Sequence, residues 1–351
     1  MLEKEVSQDI NQTLLSAPLY LVWEINRLCN AKCLHCYSDS GPDANETGIL
    51  TAEELRHIAQ QLIDAKVIHV GISGGEPLLR DECIEIVSLL SSGGIFVSLA
   101  TNGKILSPAL ARNLKKAGLD SVTLSLDSHT PELHNWIRGS KGLFEAANRG
   151  IDYLQDAGFD IVVGITAMKY NFAELDAMCE YLVNRNITSL NITGFVPVGR
   201  GKPEHGLTGE QLRSFLDTAI ALGKRLEGKL AIMWHDCRFA LLDKQFSDFS
   251  FKGCGAGNTT ARITYDGKVT PCSTLPIVSG DLRRQLFSDI WKNSKHLQEI
   301  RDRKNIRPDS NCGRCGHVSA CGGCRSISYG YSNDPWGDNP HCWLESESIT
   351  A

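Results

Sequence analysis

The sequence predicts an α/β protein: a curved parallel sheet with outer helices, followed by a small cysteine-rich unit. Three observations predict it. Six short apolar, β-branched runs recur between residues 20 and 193, and stretches with helix start and stop signals separate them. Seven of the thirteen cysteines then crowd between Cys254 and Cys342. Apolar runs of this length are those buried in parallel sheets, and regular strand–helix alternation builds such sheets.

In chain order, residues 1–19 form a polar, acidic lead (MLEKEVSQDINQ at its start) with neither signal-peptide nor transit-peptide character. Strands are expected at 20–25, 67–72, 95–100, 121–126, 160–166 and 188–193. Thr51 and Glu54 make a capping box ahead of Leu55, Ile58 and Leu62. Ser107-Pro108 opens another helix and Gly118 follows its end. Asn171 is read as the cap of a helix running to Arg185. The strand–helix unit spans 20–205. A bridge over 206–250 holds a helical stretch from Gly209 to Leu226 and a less regular Trp234-His-Asp-Cys237 region. The cysteine-rich unit spans 251–343, with a tail at 344–351. Within it Ala261–Thr270 reads as a hairpin turning at Asp266-Gly267.

A chain of 351 residues supports one large domain and a smaller one. Net charge is −5, from 36 basic and 41 acidic residues without a long basic run, which argues against a nucleic-acid or membrane-surface binder. No apolar run approaches a membrane span. A cytoplasmic, reducing setting suits thirteen cysteines better than disulfides do, given no secretory signal. Cys83 and Cys179 fall at apolar helix positions and read as plain buried thiols.

The chemistry concentrates where parallel barrels place it, at the carboxyl ends of strands. After the first strand come Cys29, Cys33 and Cys36, spaced C-x3-C-x2-C on one loop with no fourth cysteine before Cys83. A structural zinc site takes four ligands. A [4Fe–4S] cube held by three thiolates leaves one iron free. After the second strand come Gly74, Gly75, Glu76 and Pro77, where the glycines permit close backbone approach and Glu76 offers a carboxylate to an ammonium group. Thr101 and Asn102 follow the third strand; Ser125 ends the fourth, with Arg138 after it. Further on, Cys254, Cys272, Cys312-x2-Cys315-x5-Cys321-x2-Cys324 and Cys342 suit metal clusters, and paired C-x2-C units are also zinc-ribbon spacing.

The three-cysteine loop followed by GGEP resembles the signature of radical S-adenosylmethionine (SAM) enzymes, and the last seven cysteines resemble the SPASM extension of that family. One departure is the x2 spacing before the sixth of these cysteines, where x3 is usual. His35 stands where the family usually has an aromatic residue. The resemblance implies a partial (β/α)6 TIM-like barrel followed by a small cysteine-rich α+β SPASM domain. It implies SAM as cosubstrate and one SAM-binding [4Fe–4S] cluster on Cys29, Cys33 and Cys36. The SAM amino group would lie at the GGEP turn, the ribose near Thr101 and Asn102, and the carboxylate near Ser125 and Arg138; the Gly194–Gly201 edge would flank the adenine. Two auxiliary clusters are implied: an outer one on Cys312, Cys315, Cys321 and Cys342, and an inner one on Cys254, Cys272 and Cys324. The inner cluster lacks one ligand; Cys237 is the nearest spare thiol, and an open iron is the alternative.

Such an enzyme cleaves SAM reductively to a 5′-deoxyadenosyl radical and oxidatively crosslinks, desaturates or decarboxylates its substrate. No general acid or base is identifiable; His235, Asp236 and Tyr265 are weak candidates. The nearest resemblance is to peptide maturases of the mycofactocin and pyrroloquinoline quinone type, which implies a ribosomally made precursor peptide as substrate. The tetrapyrrole branch (haem and haem d1 biosynthesis) shares nearly the same motifs. A small-molecule dehydrogenase and a non-catalytic zinc or Fe–S scaffold are the further alternatives. The implied partners are an electron donor such as flavodoxin or ferredoxin and a separate leader-peptide-binding protein.

Overall fold

The structure, a computed structural model, describes residues 14–242 and 253–344. Most of the expected lead, the end of the bridge and nearly all of the tail lie outside the described residues. Strands β1 (Tyr20–Glu24), β2 (His69–Ser73), β3 (Phe96–Thr101), β4 (Ser121–Ser125), β5 (Ile161–Ala167) and β6 (Ser189–Gly194) fall where the apolar runs predict them. They pair in parallel in chain order. Between them run α1 (Ala52–Asp64), α2 (Cys83–Ser92), α3 (Pro108–Lys116), α4 (Pro131–Arg138), α5 (Leu143–Asp156) and α6 (Leu175–Asn184). The Thr51–Glu54 capping box forms, and the Ser107 hydroxyl accepts the Leu110 N–H.

Two expectations are corrected. Asn171 does not cap α6, which starts at Leu175 after a 3-10 turn; its side-chain amide donates instead to the carbonyls of Asp127 and Thr166. The stretch read as irregular contains a strand. After α7 (Gly209–Arg225), β7 (Ala231–His235) pairs in parallel with β6, and a 3-10 turn Cys237–Leu241 follows, capped by the Asp236 carboxylate.

The cysteine-rich unit joins the same sheet. β8 (Thr260–Ile263) pairs in parallel with β1 and forms the expected hairpin with β9 (Lys268–Thr270), beside which lies β10 (Gly280–Asp281). The order is therefore β10-β9-β8-β1-β2-β3-β4-β5-β6-β7, with β7 and β10 at the edges, so the barrel stays open. Among the described residues four α-helices complete the unit: α8 (Phe287–Asn293), α9 (Lys295–Arg301), α10 (Asn311–Arg314) and α11 (Arg325–Ser332).

Successive strand residues point to opposite sheet faces. On the outer face Leu21, Trp23, Val70, Ile72, Val97, Leu99, Val122, Leu124, Val163 and Leu190 are fully buried in one core with the helices. The inner positions alternate with these and are small or polar: Gly71, Ser73, Ser98, Ala100, Thr123, Ser125, Gly164, Thr166, Asn191 and Thr193. Large side chains on one face hold the barrel together, while small ones on the other leave it hollow.

Candidate active site

The loop carrying Cys29, Cys33 and Cys36 sits at the carboxyl end of β1 and is gripped from three sides. From β2, Gly75 N–H donates to Asn26 O (3.1 Å) and Glu76 N–H to Leu28 O (2.9 Å). A Cβ on Gly75 would lie 2.1 Å from Leu28 O, so this glycine is required by backbone packing as much as by any ligand. From α4, the carbonyls of Arg138 and Ile137 accept the N–H groups of Lys32 (3.0 Å) and Leu34 (2.9 Å). From the turn after β6, Arg200 reaches three carbonyls: its Nε donates to Cys33 O (2.7 Å), its Nη2 to Ser40 O (2.8 Å) and its backbone N–H to Cys36 O (2.9 Å). Gly199, at φ +60°, allows this, since a Cβ there would lie 2.4 Å from Tyr37 O. Pro197–Gly201 thus acts as a clamp on the cysteine loop.

Each of the three sulfurs has a donor. Asn102 Nδ2 lies 3.8 Å from Cys29 Sγ, Arg138 Nη1 lies 3.8 Å from Cys33 Sγ, and the Ser40 N–H lies 3.3 Å from Cys36 Sγ. Burial pushes the Cys29 thiol up to about 12 and raises that of Cys33 against the pull of Arg138. Without a metal Cys29 and Cys33 hold their protons at neutral pH; donors directed at the sulfurs suit thiolates. Among the described residues no three His, Cys, Asp or Glu side chains converge on a point that a single ion could fill. Three thiols sharing one loop and one apolar cluster, each with its own donor, fit a polynuclear group better than a lone ion.

Glu76, 1% exposed, is held by Thr101 Oγ1 (2.8 Å) and the Asn102 N–H (2.8 Å). Thr101 therefore faces the glutamate, while the Asn102 amide faces Cys29 and Asn30. Burial raises the Glu76 carboxyl to about 7 against those hydrogen bonds. Between about pH 4.5, where an unfolded glutamate ionises, and pH 7, the native state holds a proton that the unfolded chain has released. Stability contributed here is thus lost as pH rises through that window. Wild type is expected to lose melting temperature relative to Glu76→Gln between about pH 5 and 8. A difference independent of pH would show that Glu76 is ionised throughout.

Asp127, fully buried just beyond β4, joins the remaining parts. Its Oδ2 lies 2.6 Å from Arg138 Nε and 3.0 Å from His35 Nε2, and its Oδ1 accepts the Thr166 N–H (2.9 Å). Burial would raise its carboxyl, but the Arg138 guanidinium and His35 hold it well below the usual range. His35 is thereby engaged with a carboxylate, while its ring lines the same cavity as the three thiols. Ser125, the last residue of β4 and two before Asp127, lines the cavity.

That cavity, about 660 Å³, fills the hollow of the barrel. Its wall includes Cys29, Cys33, Cys36, Gly74, Gly75, Glu76, Thr101, Asn102, Ser125 and Arg138 on one side, and Cys237, Cys254, Cys272 and Cys324 on the other. Pro77 is buried at the start of a 3-10 turn, Pro77–Leu79. A more open groove of about 790 Å³ crosses α1, α2 and α3 but contains no thiol. Cys312, Cys315, Cys321 and Cys342 stand outside the cavity. Arg325 Nη2 lies 3.3 Å from Cys312 Sγ, the Cys254 N–H donates to Cys321 O (3.1 Å), and burial pushes Cys342 to about 11. Cys237 stands between the two sets, 3.9 Å from Cys321 Sγ while lining the cavity with the other three. Of the weak acid–base candidates, His235 lines the cavity. Asp236 also lines it but is ion-paired to Arg238 (2.6 Å), and Tyr265 lies outside it, under Arg27. Sequence reading passed over Asn191, Thr193 and the clamp role of Arg200; the small-polar alternation along the strands was the available signal for the first two.

Residues 23–182 match the Radical SAM superfamily model and residues 254–316 the SPASM iron–sulfur cluster-binding domain. The chain belongs to the radical SAM superfamily, is an enzyme, and takes SAM and [4Fe–4S] clusters as cofactors. It is 30% identical to the mycofactocin maturase MftC of Mycobacterium tuberculosis over 339 residues, covering 93% of this chain and 83% of that one. It is 28% identical to the AdoMet-dependent heme synthase of Methanosarcina barkeri over 340 residues, covering 93% and 97%. Its fold matches Streptococcus suis SuiB bound to S-adenosylmethionine, with TM-score 0.78, 20% identity and coverage of 94% and 78%. It also matches anSMEcpe with bound AdoMet, with TM-score 0.74, 18% identity and coverage of 94% and 95%. No helix among the described residues is long and apolar enough to cross a membrane.

Proposed function

We propose that this enzyme oxidatively crosslinks, desaturates or decarboxylates a ribosomally made precursor peptide. One observation carries the choice over a tetrapyrrole. Among the described residues the arginines lining the cavity are Arg138, paired to Asp127 and assigned below to the SAM carboxylate, and Arg200, paired to Asp39, so neither is left over for a substrate. A carboxylate-rich macrocycle needs free cations. A cavity of about 660 Å³ lined by small hydroxyls also suits a cosubstrate plus one side chain better than a cosubstrate plus a macrocycle. The relative MftC is a maturase; the heme synthase relatives favour the second reading, modification of a tetrapyrrole side chain.

In this proposal Cys29, Cys33 and Cys36 hold the SAM-binding cluster. Cys312, Cys315, Cys321 and Cys342 hold the outer auxiliary cluster. Cys254, Cys272 and Cys324 hold the inner one, with Cys237 as fourth ligand. Gly74, Gly75, Glu76 and Pro77 receive the SAM amino group, and Ser125 with Arg138 its carboxylate. Thr101 and Asn102 set the Glu76 carboxylate in place behind it. Bound together, cluster and SAM supply a 5′-deoxyadenosyl radical able to take hydrogen from an unactivated C–H bond. The chain's part is to orient that carbon and exclude water: the small inner strand residues make the room, and the clamped loop fixes the reactive end. The barrel is assigned to 20–205 and the cluster domain to 251–343. The proposed setting is cytoplasmic, with a flavodoxin or ferredoxin as donor and a separate leader-binding protein.

The test is anaerobic reconstitution with iron and sulfide, then dithionite, SAM and any short peptide found encoded beside this gene. Release of 5′-deoxyadenosine with a peptide mass loss of two hydrogens or of carbon dioxide is expected. Consumption of an added porphyrin beside an unaltered peptide would overturn the peptide reading.

A further inference from the structure

The proposed function leaves a buried pair of opposite charges without a role. Glu24, at the end of β1, is 2% exposed, and Arg262, in β8, is 7% exposed. Arg262 pairs in register with Val22, so it shares the inner sheet face with Glu24 two residues on. Its Nη1 lies 3.5 Å from Glu24 Oε1.

Toward the auxiliary side, Arg262 Nη1 donates to Ser273 O (2.6 Å) and Nε to Thr270 Oγ1 (3.1 Å), whose hydroxyl donates to Cys272 O (3.0 Å). Both carbonyls flank a thiol assigned above to the inner cluster. Toward the barrel side, the guanidinium lies 5.9 Å from the centroid of the Tyr37 ring, and Tyr37 follows Cys36 directly. Tyr37 and Cys272 line the same cavity. One guanidinium therefore hydrogen-bonds to one cysteine-bearing segment and faces an aromatic ring on the other, from a position largely shielded from water.

A buried charge acts over several ångströms in a low-dielectric interior, and the potentials of iron–sulfur clusters respond to local net charge and hydrogen bonding. We propose that Arg262, held in place by Glu24, is a positioning residue shared by the SAM-binding cluster and the inner auxiliary cluster, and that its positive charge raises the electron affinity of both. This rests on the cysteine assignments proposed above. It gives the enzyme a means of keeping the two potentials in step as electrons pass between them.

The decisive comparison is E24Q against E24Q/R262M in the full-length reconstituted protein. Arginine stays protonated in proteins, so the two variants differ by one full charge at one place. Neutralising a buried pair as a whole is generally tolerated. R262Q, which can keep a hydrogen bond to Ser273 O, replaces R262M if iron is not retained. Midpoint potentials are read by EPR-monitored titration. The signal altered by adding SAM marks the SAM-binding cluster, the one lost in Cys272→Ala marks the inner cluster, and the outer cluster is the internal reference. Removal of the charge is expected to shift the oxidised-to-reduced ratio of the first two by tenfold or more, about 59 mV to lower potential, with the outer cluster unmoved. Unshifted potentials, or a shift in one cluster only, overturn the shared role while leaving the cysteine assignments standing. Wild-type protein that takes up no iron at these thiols overturns the assignments themselves.

Discussion

Replacing Cys29, Cys33 and Cys36 together with alanine is expected to abolish 5′-deoxyadenosine release while leaving the auxiliary iron in place. The first outcome follows from the coordination arithmetic: with three thiolates gone, no other cysteine of that loop or of its clamps can hold an iron to bind SAM. A fall to background is the expected size, because in the assignment proposed above the two auxiliary clusters are each held by four cysteines and offer SAM no free iron. The second follows from the fold. Most of the auxiliary thiols flank the β8–β9 hairpin, α10 and the N-terminus of α11; β8 pairs with β1 itself, ahead of the cysteine loop, and the Cys254 N–H bonds to Cys321 O. Iron should thus drop from about twelve to about eight per chain, counting four per cluster. SAM cleavage by the triple variant would remove the role assigned to that loop. Loss of nearly all the iron would show that the two regions fold as one unit.

The barrel was legible because its outer face is apolar with period two, and its helices announce themselves through Thr51–Glu54 and Ser107-Pro108. β7 was not. Ala-Ile-Met-Trp-His has only partial burial in the folded chain, since it forms an edge and its neighbours cover it on one side. Asn171 misled for a related reason: an asparagine ahead of a helix looks like a cap, yet this one is drawn into tertiary bonds with β4 and β5 ends that no local pattern reveals. In the site, the ligand-like residues were visible by type and their partners were not. Glu76, Thr101 and Asn102 could be placed near one another, but that Thr101 faces Glu76 rather than open space depends on how β2 and β3 register. Cys237 was visible only as a spare thiol. Its approach to Cys321 across 84 positions depends on β7, the strand that was missed.

Asp127→Asn is expected to be the most damaging single change outside the cysteines. The carboxylate is fully buried and sits between Arg138, itself 8% exposed, and His35. Neutralising it keeps the volume but leaves the guanidinium buried without a counter-charge, a change that costs about 3–5 kcal/mol in comparable pairs. The loss does not stay local, because Arg138 also donates to the Cys33 sulfur and its carbonyl holds the Lys32 N–H. Denaturation should therefore report the stability loss, and reconstitution should report poorer iron retention at Cys29, Cys33 and Cys36 specifically. Adding Arg138→Met to D127N removes the stranded charge, so most of the stability should return, while the cysteine loop still lacks its donor and iron retention stays low. If D127N melts within about 1 kcal/mol of wild type and loads normally, the Asp127 carboxylate is protonated or otherwise dispensable. The three-way link among α4, β5 and the cysteine loop would then have to run through backbone contacts alone.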